Sequence, residues 1–333
     1  MRIVLVTESF VPATDDAADA AREVCDALVA AGHAVLVLAG TAGKPTYRNA
    51  EVVRLRRAPN PLALQVRVGH FGPDAVLVMR PRALGVATLR AFEPSGIPLA
   101  VLDPSPLAPR VGIALTSTAA GARVLGMVGM QARAWVPGVR SDEYHPGLRS
   151  EELHRAWTRG EGDLVVGYAG AVGAPTSKHV RRLARVAALD GVKLVVLGWG
   201  SGTSSLKQAG ARIVGHCGGL ELARALASLD AFVQPRKTET GLGVVRKALA
   251  SGVPVVAFDS AAHREAVTDG HNGLLVSPGQ GRSALAGAVA RLAEDSALRS
   301  ALAANARDSV AARTWADAVT ELVDLCCPLA PAV

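Results

Sequence analysis

The groups best placed to do chemistry are gathered in one run, from Phe232 to Ala257. An apolar strand over Ala231–Val233 gives way to the polar residues Gln234–Thr240, then Gly241, Leu242 and Gly243. A helix is expected over Val244–Ala250. A helix start carries backbone N–H groups with no partner inside the helix, which suits a diphosphate or sugar oxygens. Gly241 and Gly243 let the main chain come close to such a group. Glu239 at the loop mouth offers a carboxylate that sugar hydroxyls can donate to. An ordinary strand-to-helix turn with a capping carboxylate uses the same residues, and a glycine pair alone does not separate the two readings.

Other candidates carry less. His70, His179 and His263 share no metal-ligand spacing, so no metal is expected. Ser201–Ser205 lacks the strand-and-elbow context of a hydrolase nucleophile. Asp103 follows a strand and precedes Pro104, which fits a turn carboxylate better than a binding group. Trp157 and Trp315 are read as packing at a seam between domains.

The elements that must position these groups alternate strand and helix. Arg2–Thr7 reads as a strand, Ala17–Ala31 as a helix capped by Asp15 or Asp16, and Ala34–Leu38 as the next strand. Strand, helix, strand in that order makes a right-handed unit of a parallel sheet. Turn formers cluster from Val136 to Gly147, and the rhythm then restarts with strand Leu164–Ala169 and helix Lys178–Ala188. The expected organisation is α/β: an N-terminal Rossmann-like domain over 1–148, a second over 149–315, and a final helix over 316–333 that packs back toward the first. Doubly wound sheets bind ligands at the carboxyl ends of their strands.

Composition narrows the field. The chain has 333 residues, 50% of them apolar and 4% aromatic, enough for two ordinary cores. Its net charge of +7 suits a phosphorylated ligand or an arginine-rich soluble surface. No basic run with interleaved aromatics occurs, so nucleic acid is not expected as a partner. The four cysteines, Cys25, Cys217, Cys326 and Cys327, form no CxxC pair. They read as reduced thiols in a cytoplasmic protein. No apolar run approaches the ~18 residues of a membrane span, so any membrane association is expected to be peripheral.

The run from Phe232 to Ala257 resembles the donor-site signature of the retaining glycosyltransferases of family 4, a glutamate followed after seven residues by a second. Other segments agree in order. Val165–Gly170 with Lys178–Leu183 resembles the first strand and phosphate-binding lysine. Leu194–Gly200 resembles the strand and glycine turn near the nucleotide base, and Glu265–Val276 the stretch after the donor site. The Lys178–Leu183 stretch is most similar to the GDP-mannose-dependent α-mannosyltransferases. The resemblance implies a GT-B fold, two Rossmann-like doubly wound domains facing across a cleft. It implies a nucleotide-sugar donor, a hydroxyl acceptor of unspecified kind, no cofactor, and transfer of a hexosyl group such as mannose with retention. Lys178 and Glu239 are the implied catalytic pair, for diphosphate and sugar respectively. Gly198, His216, Gly241, Leu242, Gly243 and Lys247 are the implied donor contacts.

Departures from the family pattern are specific. The second glutamate is Lys247, which has no acceptor for ribose hydroxyls. The arginine ahead of the phosphate lysine falls at Ala171. Ala13–Asp16 replaces a flexible glycine loop with two carboxylates, whose other role is helix capping. These changes also fit a non-catalytic relative kept as a binding or partner protein. A nucleotide-sugar epimerase on the same architecture is a third reading.

Overall fold

The structure is a computed structural model that describes residues 1–333 except 14, 56–59, 106, 111, 159–161, 237–241, 282 and 327–333. The chain runs β1 (Arg2–Thr7), α1 (Asp16–Ala30), β2 (Ala34–Ala39), β3 (Thr46–Tyr47), β4 (Ala50–Arg54), α2 (Pro61–Gly69), β5 (Ala75–Met79), α3 (Ala83–Phe92), β6 (Leu99–Leu102), β7 (Ile113–Thr116), α4 (Ala119–Met127) and β8 (Gln131–Ala134). It continues through α5 (Glu151–Trp157), β9 (Leu164–Ala169), α6 (Lys178–Ala187), β10 (Val192–Leu197), α7 (Thr203–Gln208), β11 (Arg212–Ile213), α8 (Gly219–Ala227), β12 (Ala231–Gln234), α9 (Leu242–Ala250), β13 (Val255–Phe258), α10 (Ala261–Arg264) and β14 (Gly273–Val276). Four helices finish it: α11 (Ala284–Glu294), α12 (Ser296–Ala306), α13 (Asp308–Ala311) and α14 (Trp315–Cys326).

Two compact units result, one from Met1–Gly138 with the chain from Trp315 onward, the other from Val139–Thr314. The first sheet has the order β3-β4-β2-β1-β5-β6-β7-β8, and only β3 runs antiparallel to its neighbour. Its central strands β1, β2 and β5 are almost wholly apolar because helices cover both faces. Alternate residues serve the two faces. Ile3 and Leu5 join Val24, Leu28 and Leu322 on one side, while Val4 and Val6 join Leu36, Leu89 and Phe92 on the other. At the switch between β1 and β5, Glu8 Oε1 accepts from Leu84 N–H at 2.8 Å and Gly85 N–H at 3.1 Å, at the start of α3. Asp15 Oδ1 accepts from Ala17 and Ala18 N–H at the start of α1, and its Oδ2 from the Ser9 hydroxyl at 2.6 Å. Asp15 is therefore committed to capping.

The second sheet is wholly parallel, in the order β11-β10-β9-β12-β13-β14. Val165, Val195 and Phe232 pack on one face, and Val166, Val196 and Val233 on the other. This unit starts at Val139, ahead of the boundary expected after 148. Val139 and Tyr144 are buried in its core. The Arg307 guanidinium donates to the carbonyls of Ser141 at 2.9 Å, Tyr144 at 3.0 Å and Ala250 at 2.8 Å, which pins the connecting segment. Helix α14 belongs to the first unit, where the Trp135 indole N–H donates to Ala318 O at 2.8 Å. The expected seam tryptophans serve separate cores. Trp157 lies in the core of the second unit, and Trp315 packs 6.3 Å from Trp135 in the first.

Candidate functional site

In the second sheet the chain leaves β9 through α6 to β10 and β11, then returns to the other side of β9 with β12. The connections after β9 and β12 therefore diverge, and a crevice opens at the carboxyl ends of these two strands. Residues 170–177 follow β9 and lead to Lys178, the first residue of α6. Pro235 and Arg236 follow β12, and α9 starts at Leu242.

The start of α6 is chemically unfinished. Ser177 stands at the N-cap but makes no capping hydrogen bond. Its Oγ is buried and has no partner among the described residues. Elsewhere Asp15, Thr118, Ser150 and Ser260 do cap their helices. Uncapped N–H groups and the positive end of the helix dipole favour an anion.

Cations gather at the same place. Lys178 is exposed. Arg182, one turn along α6, donates from Nη1 to Pro235 O at 2.8 Å and lies 4.3 Å over the Phe258 ring. Arg236 donates from Nη2 to Ala171 O at 2.9 Å, and the Tyr168 hydroxyl donates to the same carbonyl at 2.9 Å. The His179 Nε2 accepts from Gly173 N–H at 3.2 Å, so the ring is neutral with its proton on Nδ1. Burial, then the nearby Arg236 and Arg182, hold His179 below the ordinary imidazole value. Among the described residues none of Lys178, Arg182 and Arg236 has a carboxylate partner.

The other expected donor contacts distribute as follows. Gly198 is required by packing, since a Cβ there would run into the Gly170 carbonyl. Its turn is tied to the loop after β9 by Gly170 N–H to Leu197 O at 3.0 Å and Val172 N–H to Trp199 O at 3.0 Å. His216 is exposed in the loop after β11, and Trp199 after β10 is 68% exposed. Leu242 is buried, so only its backbone is available to a ligand. Gly243, the second residue of α9, has open space where a Cβ would stand. Lys247 is buried, with its ammonium 5.3 Å from the Tyr144 ring centre. Glu239 and Gly241 lie outside the described residues.

Arg236 and Arg182 received no role from the sequence. The signal that could have found them is position: Arg236 comes just after one of the two strands that flank the switch, and Arg182 one turn after Lys178. A surface depression lined by Leu148, Arg149, Leu153 and Arg224 lies at the opposite, amino ends of the strands. There Asp230 accepts from Val165 N–H at 2.8 Å and pairs with Arg149 and His154, an arrangement that secures the start of β9. Among the described residues no group of three could hold a metal ion, and no helix is long and apolar enough to cross a membrane.

Residues 163–295, which contain this crevice, match the family described as glycosyl transferases group 1. A GDP-mannose-dependent alpha-mannosyltransferase of Mycolicibacterium smegmatis is 33% identical, covering 97% of this chain and 96% of its own. The chain belongs to the family of these mannosyltransferases. Solved structures agree in fold. Sucrose-phosphate synthase from Thermosynechococcus elongatus superposes with a TM-score of 0.79 at 17% identity, over 98% of each chain. HepE of Anabaena, in complex with UDP-glucose, gives 0.76 at 17% identity, over 99% of this chain and 100% of that one. The two parallel-sheet units are those of a GT-B glycosyltransferase. The reading as a non-catalytic relative finds no support in these relatives.

Proposed function

We propose that this glycosyltransferase moves a mannosyl group from GDP-mannose to an acceptor hydroxyl with retention of anomeric configuration. The observation that carries the reading is the uncapped start of α6 at Lys178, with Arg182 one turn on bonded to the loop after β12, Arg236 reaching the loop after β9, and no carboxylate paired with any of the three among the described residues. A nucleoside diphosphate supplies the missing negative charge. The mannosyl and guanosine identities are supported by the family relationship.

In this scheme the bond from C1 to the β-phosphate oxygen breaks while the acceptor oxygen bonds to C1 on the same face. The acceptor proton passes to a β-phosphate oxygen. The chain contributes position and charge: Lys178 on the diphosphate, the N–H groups at the starts of α6 and α9 on oxygens, and Glu239 on the sugar hydroxyls. A leaving diphosphate gains charge as the bond breaks, so cations fixed beforehand lower the barrier. Trp199 and His216, after the neighbouring strands, are the side chains available to the base.

Calorimetric titration with GDP and UDP, followed by incubation with GDP-mannose and simple mannosides, tests this. GDP should bind more tightly than UDP, and GDP release should yield an α-mannoside. Absence of binding to either nucleotide and of any transfer overturns the proposal.

A further inference from the structure

Arg236 is a diphosphate-binding residue: we infer that its guanidinium is the second cation of the donor site, delivered from the loop after β12 to the turn after β9. This inference rests on the reading that the crevice takes a sugar nucleoside diphosphate. It assigns a role to a side chain that received none from the sequence.

Three observations carry it. The first is placement. Arg236 Nη2 donates to Ala171 O, so the guanidinium crosses from one connection at the switch to the other. The resemblance puts an arginine ahead of the phosphate lysine at position 171, where this chain has an alanine, and Arg236 brings a guanidinium to the backbone of that residue.

The second is fixation. The Ala171 carbonyl accepts from both the Tyr168 hydroxyl and Arg236, each at 2.9 Å, which uses both of its lone pairs. The preceding carbonyl, Pro235 O, is held by Arg182 Nη1. The backbone that carries Arg236 is therefore anchored on α6, the same helix that begins with Lys178. A cation held in place loses little freedom when a phosphate arrives.

The third is unmet demand. The Arg236 Nε is buried and has no hydrogen-bond partner among the described residues. No carboxylate there balances its charge. The side chain as a whole is half-buried, and an N–H closed off from water with no acceptor is costly unless something completes it. Arg182 on α6 is a further cation here, and the fields of both arginines help hold the His179 ring neutral. A planar fork beside the α6 N-terminus matches two phosphate oxygens, whereas Lys178 contributes a point charge.

The test is a titration series on the whole chain with GDP, GMP and guanosine. Arg236→Ala and Arg236→Gln should each weaken GDP between about 10- and 100-fold while leaving guanosine within about twofold. The glutamine keeps a donor for Ala171 O but removes the charge, so it separates charge from loop anchoring. If Arg236→Ala does not fold, the glutamine variant and Arg236→Lys carry the comparison. Adding Ala171→Arg to Arg236→Gln should restore GDP affinity, an outcome that a merely structural role for Arg236 does not produce. Unchanged GDP affinity in both variants, or equal weakening of guanosine, overturns the inference while the proposed function stands. Failure of the unaltered chain to bind any nucleoside diphosphate overturns both.

Discussion

The Lys247 ammonium lies 5.3 Å from the centre of the Tyr144 ring. Both side chains are buried, and Arg307 holds the Tyr144 carbonyl, so the contact ties α9 to the segment that opens the second unit. An aromatic face attracts a cation and repels a carboxylate. Lys247→Glu, the residue type the resemblance implies at this position, should therefore lower stability by about 1–3 kcal/mol. Lys247→Met should lose less. Urea denaturation compares the two, and a glutamate variant as stable as the native chain would contradict the assignment.

Lys178 opens α6 without a carboxylate partner among the described residues. Lys178→Ala should cost nucleoside diphosphate binding about 1.5–3 kcal/mol and leave nucleoside binding unchanged. Isothermal titration with GDP and guanosine reads both. Equal losses would remove Lys178 from the diphosphate.

Two glycines should respond in opposite ways. At Gly198 a Cβ collides with the Gly170 carbonyl, so Gly198→Ala should destabilise the fold by about 2 kcal/mol or more. At Gly243 a Cβ enters open space inside a helix, so Gly243→Ala should raise stability by about 0.5–1 kcal/mol. If the donor approaches α9 there, the same alanine weakens donor binding. Thermal unfolding and GDP titration together separate the effects, and a stabilised variant with unchanged affinity would take Gly243 out of the site.

His263 is fully buried, donates from Nδ1 to Phe258 O at 2.7 Å, and has no partner for Nε2 among the described residues. Burial holds its ring neutral, below the ordinary value, and outweighs the carbonyl that favours the charged form. The unfolded chain takes up a proton near pH 6.5 that the folded chain refuses. Stability is thus complete above that pH and falls as the pH drops below it, by up to about 1.4 kcal/mol per unit for one site. His33 and His179 shift in the same direction and add to the slope. Denaturant midpoints between pH 8 and 5 should show the decline, and His263→Gln should flatten part of it. A slope unaltered by that change would assign the effect elsewhere.

What the sequence made legible was local. β1 holds the unbroken apolar run Ile3–Val6, and α1 carries its own cap in Asp15. Lys178 falls at a helix start because the residues before it form turns and those after it have helical periodicity. Less legible were β8, a short edge strand of Gln131–Ala134 with little apolar character, and α2, which begins at a proline. The unit boundary was ambiguous for a physical reason. Turn formers stand at both ends of the segment 137–147, and Arg307, far along the chain, decides which side it joins. Arg236 escaped notice for the same kind of reason. Its significance comes from a carbonyl on another strand connection, and no local pattern announces that meeting.

The capping in the first unit has a chemical corollary. Glu8 occupies the start of α3 and Asp15 the start of α1, so the positive ends of both helices already hold carboxylates tethered to the chain. A free anion arriving there would have to displace carboxylates already bonded to those N–H groups. The two sheets thus finish their helix ends differently. The first closes the starts of α1 and α3 with its own carboxylates. The second leaves the corresponding helix end unscreened and surrounds it with bases.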